Sequence, residues 1–356
     1  MAKAISRIEI LLDFGGSGTK VAATCDGNRP IFFLMPPHCT EISAQSCIGE
    51  YFDENSVWVS CDDTYYAVGV LAEQFSSSSI NVKPLKVESA LPKTLAAIAI
   101  AAQKLGIKKF RLAVSIVLPS GESQQRDIYS QQLNELLGKN ITSPWGSLKI
   151  KLIAFTSDIE GKGILLFHRQ VHKTTRNTMV LMLGYRNASF IATKGKIVSA
   201  TSCSDIGFQS FLKKVVSLTS GYSLEKLLPA VSHYHLSKSD SALNPVLRFS
   251  LGSPFRDREL TDLKAAIAQA EVFYIGQLLN WLQEFLSVDV DEVVLAGGSA
   301  SYIGFQLADK IIGRVVPSDE NIFLYEVSDL PLDIAQIDHG DRFLDIYGIW
   351  QEVSAM

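Results

Sequence analysis

The stretch ILLDFGGSGTKVAATCDG, Ile10 to Gly27, decides how the rest of the chain is read. The apolar run Ile8 to Leu12 reaches Asp13 and a tight polar turn, and a second apolar run, Val21 to Thr24, leaves it for an Asp26-Gly27 turn. Apolar runs bounded by turn residues in this way predict a hairpin. Gly15, Gly16 and Gly18 let the backbone turn sharply and approach a ligand closely, and successive N–H groups in such a turn form an anion-binding nest. Ser17 and Thr19 add hydroxyls, and Lys20 adds a point charge. Asp13 is placed to hold Mg²⁺ through water, because magnesium keeps most of its hydration shell. An ordinary glycine-rich hairpin has the same outline. A Walker A loop is absent, and Val21 stands where a dinucleotide fingerprint needs its last glycine.

A weaker copy of this layout follows later in VLMLGYRNASFIATKG, Val180 to Gly195: apolar strand, polar tip, apolar strand, and a turn ending in glycine. A third element, VVLAGGSA (Val293 to Ala300), reads as a strand, a glycine turn and a helix start. Backbone at Gly297 and Gly298 can lie flat against a planar base, and a helix N-terminus near Ser299 suits an anion or a polar base edge.

Composition sets the bounds. At 356 residues and 47% hydrophobic, the chain is long enough for about two domains with real cores. A net charge of −4 gives no electrostatic reason to expect direct nucleic-acid binding. The cysteines at 25, 39, 47, 61 and 203 show no C-x-x-C spacing, so thiols in a reducing compartment fit better than a disulfide framework or a zinc ribbon. The start MAKAISRIEILLDF lacks a signal-peptide apolar region, and no apolar run reaches the ~18 residues of a membrane span. A cytoplasmic protein without a membrane span is expected.

Between these motifs the pattern alternates. Helices are expected over Leu91–Leu105, Glu122–Leu137, about Ile159–Val171, near Asp205–Leu218 and over Thr261–Leu286; strands over Arg111–Pro119 and Leu148–Phe155. Residues 31 to 90 read as irregular with short strand-like runs, Ser76 to Ser79 as a solvated loop, and the segment from about 219 to 260 as polar. In the long helix Leu263, Ile267, Ala270, Tyr274, Leu278, Trp281 and Phe285 make one buried stripe. Strands alternating with helices imply an α/β architecture. The basic, polar VHKTTRNT marks a candidate domain boundary. His168 and His172 share a helix face without a third ligand nearby, so a zinc site is not expected, and SHYH (Ser232 to His235) fares no better.

Taken in order, the two hairpins and VLAGGSA resemble the actin-like ATPase superfamily, and within it the ParM/StbA type of plasmid-segregation actin. YAVGVLAEQF (Tyr66 to Phe75), SIVLPSGE (Ser115 to Glu122) and DRFLDIYGIW (Asp341 to Trp350) resemble further elements of that family. The resemblance implies an α/β, actin-like two-domain fold of duplicated RNase H-like domains with a nucleotide cleft between them. Domain I would span 1–175, with a small subdomain at about 31–90, and be completed by a C-terminal helix at 342–356; domain II would span 176–341. It also implies ATP or GTP with Mg²⁺. Asp13 would anchor the metal's water shell, with Gly15, Gly16, Ser17, Gly18, Thr19 and Lys20 around the phosphates. Gly297, Gly298 and Ser299 would face the nucleoside. Glu160, in SDIEGKG, would position the attacking water, and Gly207 would let a helix begin close to the nucleotide.

The second hairpin departs from the family pattern. Met182 stands where the family carries an Asp, and Gly184 is kept before Tyr185, Arg186 and Asn187. Arg186 would bring a cation to the phosphates, with charge-assisted hydrogen bonds of about 1.5–3 kcal/mol each. Asn187 and Ser189 would bond phosphate oxygens or bound water. The resemblance therefore implies nucleotide binding with altered Mg²⁺ dependence and hydrolysis, in a head-to-tail homopolymer that reaches DNA through a small DNA-binding adaptor. The alternatives are a sugar-type kinase of the same superfamily, with Asp205 or Asp158 as its base, and a nucleotide-binding scaffold without turnover.

Overall fold

A computed structural model describes residues 5–47, 49, 51–75, 89–285, 289–337 and 340–354. The chain forms two compact units, one of residues 1–173 and 326–356, the other of Thr174–Tyr325.

The first unit is built on a nine-stranded sheet. Its strands are β1 (Arg7–Gly15), β2 (Gly18–Cys25), β3 (Ile31–Met35), β4 (Cys39–Ile42), β5 (Ser56–Cys61), β6 (Thr64–Gly69), β7 (Lys109–Leu118), β8 (Ile141–Ser143) and β9 (Gly146–Ile159). They lie in the order β3-β2-β1-β7-β9-β8-β5-β6-β4. β1 pairs antiparallel with β2 and parallel with β7, and β7 pairs parallel with β9. The first residues of the long β9, Gly146 to Leu148, pair with β8 instead, which joins a small antiparallel group (β4, β5, β6, β8) to the main sheet. Helices α1 (Val70–Glu73), α2 (Ala90–Lys104), α3 (Arg126–Leu137), α4 (Lys162–His172), α9 (Leu332–Ala335) and α10 (Leu344–Ser354) complete this unit. The run Ala96 to Ala102 in α2 is buried on every side, as a helix apolar all round must be.

The second unit has a five-stranded sheet of β10 (Thr178–Leu183), β11 (Ala188–Lys194), β12 (Ile197–Ser204), β13 (Glu292–Ala296) and β14 (Ile322–Leu324). Its order is β12-β11-β10-β13-β14, with the first two pairings antiparallel and the last two parallel. This repeats β3-β2-β1-β7-β9 strand for strand, in order and in sense. The two hairpins read from sequence are therefore the same element in two copies of one topology. Helices α5 (Phe208–Leu218), α6 (Leu224–Ser237), α7 (Arg256–Gln283) and α8 (Ala300–Ile311) pack with this sheet. The α7 stripe from Leu263 to Trp281 is buried, and Tyr274 joins Phe208, Phe211 and Tyr302 in one aromatic cluster.

Several expectations are corrected here. Residues expected to be irregular after 31 form regular strands β3 to β6; the serine tract 76–79 lies outside the described residues. The helix expected from Glu122 begins at Arg126, after a 3-10 stretch over Ser120–Gln125. The helix expected from Ile159 begins at Lys162, because β9 runs on to Ile159 and Gly161 then turns the chain at φ 89°. The polar segment after 219 contains α6, which carries Pro229 inside it. The second unit runs to Tyr325. Residues after 325 pack into the first unit, where Arg29 Nε donates to Asp333 at 3.0 Å and Ile334 is fully buried.

Candidate functional site

In the first unit, β1 and β2 close on each other at Gly15 and Gly18, leaving Gly16-Ser17 as a two-residue tip. The hairpin itself requires these glycines. A Cβ at Gly15 would sit 2.7 Å from the Gly18 carbonyl oxygen, and one at Gly18 would sit 2.8 Å from Leu34 Cδ1 on β3. Asp13 and Lys20 lie directly opposite and pair at 2.5 Å, with Asp13 almost wholly buried. Phe14 and Thr19 are the next opposite pair. Because side chains alternate along a strand, Thr19 faces away from Asp13, into the core beside Phe14. It is fully buried, and its hydroxyl has no hydrogen-bond partner. The reading of Thr19 as a phosphate donor is corrected accordingly.

Two more elements of the first unit meet near this hairpin. Glu160 sits in the turn between β9 and α4, buried, its N–H donating to Leu118 O at the end of β7, 2.9 Å away. Asp345, in the first turn of α10, accepts from the N–H groups of Gly161 at 2.9 Å, Gly163 at 2.8 Å and Ile164 at 3.3 Å. It thus satisfies the open N-terminus of α4. Burial, with the charges of Asp13 and Glu160, pushes its carboxyl up to about 7, against the pull of the Gly161 and Gly163 N–H groups. Arg342 reaches the hairpin tip, donating from Nη2 to Ser17 Oγ at 2.6 Å. Sequence reasoning marked the segment that carries Arg342 and Asp345 but gave neither residue a role. The available signal was an acid and a base three residues apart inside that motif.

In the second unit, Met182 lies opposite Ser189 on β11 and beside Ala296 on β13, the register that Asp13 holds against Lys20 and Val117. Met182 thus replaces the acid at the equivalent place. The tip, Gly184 to Asn187, closes on itself through Gly184 N to Asn187 O at 2.9 Å and then folds onto the start of α5. Phe208 N donates to Gly184 O at 3.0 Å and Gln209 N to Tyr185 O at 2.8 Å. Carbonyls of the tip therefore take N–H groups that a helix N-terminus would otherwise offer to an anion. Gly207 is a glycine because this contact is tight: a Cβ there would lie 2.1 Å from the Arg186 carbonyl carbon.

The tip itself is largely covered. Tyr185 and Asn187 are buried and Arg186 is half-buried. Asn187 Nδ2 donates to Ser189 Oγ at 3.3 Å and to Cys203 Sγ at 3.0 Å, so its amide is anchored to β11 and β12. The Gly297–Ser299 turn packs beside this hairpin. Ser299 N donates to Leu183 O at 3.0 Å and its hydroxyl to Gly184 O at 3.2 Å. Gly297, at φ 93°, lies where a Cβ would meet Leu183 O at 2.5 Å. Gly298 stays exposed. The second unit thus gathers Gly184, Arg186, Asn187, Gly207 and Ser299, largely by backbone contacts among themselves.

The donor set of the first unit fits phosphate with a hydrated divalent cation: one buried carboxylate, an ammonium beside it, and an exposed Ser17 tip under a guanidinium. It does not fit a cation held by protein ligands alone, since among the described residues no three His, Cys, Asp or Glu side chains gather to hold a metal. The His168 and His172 rings stand 4.7 Å apart without completing such a group. Among the described residues no helix is long and apolar enough to cross a membrane.

No protein-family profile matches the sequence, and no curated protein does. Solved structures match along nearly the whole chain. The archaeal actin homologue Ta0583, in complex with ADP, aligns with a TM-score of 0.63 at 15% identity, covering 98% of this chain and 100% of that one. A ParM from a 15-stranded filament of Clostridium botulinum aligns at 0.63 and 14% identity, covering 98% and 99%. AlfA from the Bacillus subtilis plasmid pLS32, in its filament, aligns at 0.59 and 12% identity, covering 97% and 98%. At these identities the likeness establishes the fold: this chain has the actin-like fold shared by the ParM, AlfA and archaeal actin homologues.

Proposed function

We propose that the protein is a nucleotide-dependent, filament-forming actin homologue. The observation that carries this reading is the Asp13–Lys20 hairpin at the end of β1, with Glu160 in the turn after β9, in an actin-like unit. The hairpin backbone, Ser17 and Lys20 take the phosphates of ATP or GTP. Asp13 orients the water shell of Mg²⁺, which, when bound, offsets the charge of the phosphates. Glu160 orients the water that attacks the terminal phosphate. Filament structures of proteins with this fold support head-to-tail self-assembly of this chain. A net charge of −4 supports a separate adaptor as the DNA-binding partner in a segregation role.

Met182 and the closed Gly184–Asn187 tip favour slow turnover over rapid cycling. The second unit's hairpin lacks the acid at the equivalent place, and the start of α5 is capped by the tip's own carbonyls. A nucleotide-binding protein without turnover is the second reading, supported by the same two features. Equilibrium titration with ATP and with GTP, with and without Mg²⁺, tests the proposal. Saturable binding that Mg²⁺ strengthens is expected. Asp13→Ala should abolish the Mg²⁺ effect while leaving Mg²⁺-free affinity intact or raised, because Lys20 is released from its ion pair. Absence of binding under every condition contradicts the reading.

A further inference from the structure

We propose that Arg342 is a phosphate ligand of the nucleotide site, delivered by the C-terminal segment to the tip of the β1–β2 hairpin. The inference rests on the nucleotide reading above and adds to it a residue 325 positions from Ser17 in the sequence. Three observations lead to it.

The first is charge. A nucleoside di- or triphosphate brings several negative charges to a hairpin whose own ammonium, Lys20, is already held at 2.5 Å by the buried carboxylate of Asp13. Asp13 and Lys20 cancel at short range, so the pair by itself adds little attraction for an anion. Asp345, whose carboxyl is raised by burial and by the charges of Asp13 and Glu160, adds further acid nearby. A phosphate bound at the tip therefore needs a cation beyond Lys20, and Arg342 places a guanidinium there, 2.6 Å from Ser17 Oγ.

The second is geometry. A guanidinium carries five N–H donors in a rigid planar fork that matches the oxygens of a phosphate. Ser17 is exposed at the tip, so a group bound to its hydroxyl stands at the surface where a ligand arrives. The third is preorganisation. Phe343, the next residue, is fully buried and packs edge-on against Phe32, ring centroids 6.2 Å apart. Two residues further on, Asp345 is fastened to the start of α4 by its bonds to Gly161 and Gly163. The backbone that carries Arg342 is thus fixed before ligand arrives, which lowers the entropy lost on binding. One short segment, 342–345, reaches both the phosphate hairpin and the turn that carries Glu160.

The test is equilibrium binding of ATP, ADP and AMP to the full chain as wild type, Arg342→Lys and Arg342→Gln. Thermal unfolding without ligand reports whether each variant folds. Gln can keep a hydrogen bond to Ser17 but not the charge. Arg342→Gln is expected to weaken ATP and ADP by about tenfold or more, the worth of a lost charge-assisted bond, while AMP affinity holds. Arg342→Lys should fall between Gln and wild type. If Arg342→Gln fails to fold, the same contrast between ATP and AMP is read from Arg342→Lys. Unchanged affinity for all three nucleotides, or an equal loss for all three as a merely structural contact would give, overturns the assignment alone. No binding by the wild type overturns the nucleotide reading and the assignment with it.

Discussion

Asp13 and Thr19 lie in one short hairpin and have opposite fates, decided by the two-residue period of the strand. Asp13 faces Lys20 on the side of the ion pair; Thr19 faces Phe14 in the core with an unpaired hydroxyl. A buried hydroxyl without a partner costs about 1–3 kcal/mol. Thr19→Val keeps the shape and removes that cost, so the variant should unfold at higher urea, by roughly 1 kcal/mol of stability, with nucleotide affinity unchanged. A loss of affinity would return Thr19 to the site. The face of Thr19 was legible in principle, since counting from Asp13 along the hairpin settles it. The anchoring of the Asn187 amide was not. It depends on Ser189 and Cys203, and Cys203 comes from β12, a strand that the local pattern does not announce.

At the scale of elements, α4 and α10 are held to each other by two devices. The crossing is so close that a Cβ at Gly348 would lie 1.9 Å from the Gly163 carbonyl oxygen, and one at Gly163 would lie 1.7 Å from that of Asp345. Helix propensity alone favours Ala over Gly by about 1 kcal/mol, whereas overpacking costs about 1–3 kcal/mol. Gly348→Ala should therefore destabilise the protein in urea unfolding; stabilisation would mean the crossing is looser than described. The second device is the Asp345 cap. Its carboxyl titrates near 7 in the folded protein and near 3.9 in an unfolded chain. Between those values the folded protein holds a proton that the unfolded chain releases. This contribution to stability is full below about pH 4 and is lost as pH rises through 7. Asp345→Asn removes the dependence. Relative to the variant, the wild type should lose on the order of 2–4 kcal/mol between pH 4 and pH 8. Parallel profiles for the two proteins would contradict the assignment.

The limits of sequence reading are also clearest among the elements. The α7 stripe was legible because an apolar period sustained from Leu263 to Trp281 leaves no alternative. α6 was hidden by Pro229, which ordinarily ends a helix. The fate of the second hairpin was hidden for another reason. Its tip carbonyls accept from the first N–H groups of α5, and only the fold brings Phe208 N within 3.0 Å of Gly184 O.

For the whole molecule, the repeat seen faintly in two hairpins is a repeat of five strands in one order and sense. Sequence carried the hairpin because its glycines and acid are local, and it carried the order of motifs along the chain. It showed Met182 in place of the acid but not that the second tip folds onto α5. One copy keeps a carboxylate and an ammonium at its hairpin; the other has filled the equivalent place with Met182 and folded its tip shut. An actin-like protein built this way should bind nucleotide through the first copy and turn it over slowly. Nucleotide should therefore favour assembly and leave filaments long-lived. The most direct measurement is the critical concentration for sedimentation with ATP and Mg²⁺, with ADP and Mg²⁺, and without nucleotide, the pellets being imaged by electron microscopy. The account predicts filaments in the ATP pellet and a critical concentration well below that found without nucleotide. Soluble protein in all three, or pellets that form equally without nucleotide, would contradict it.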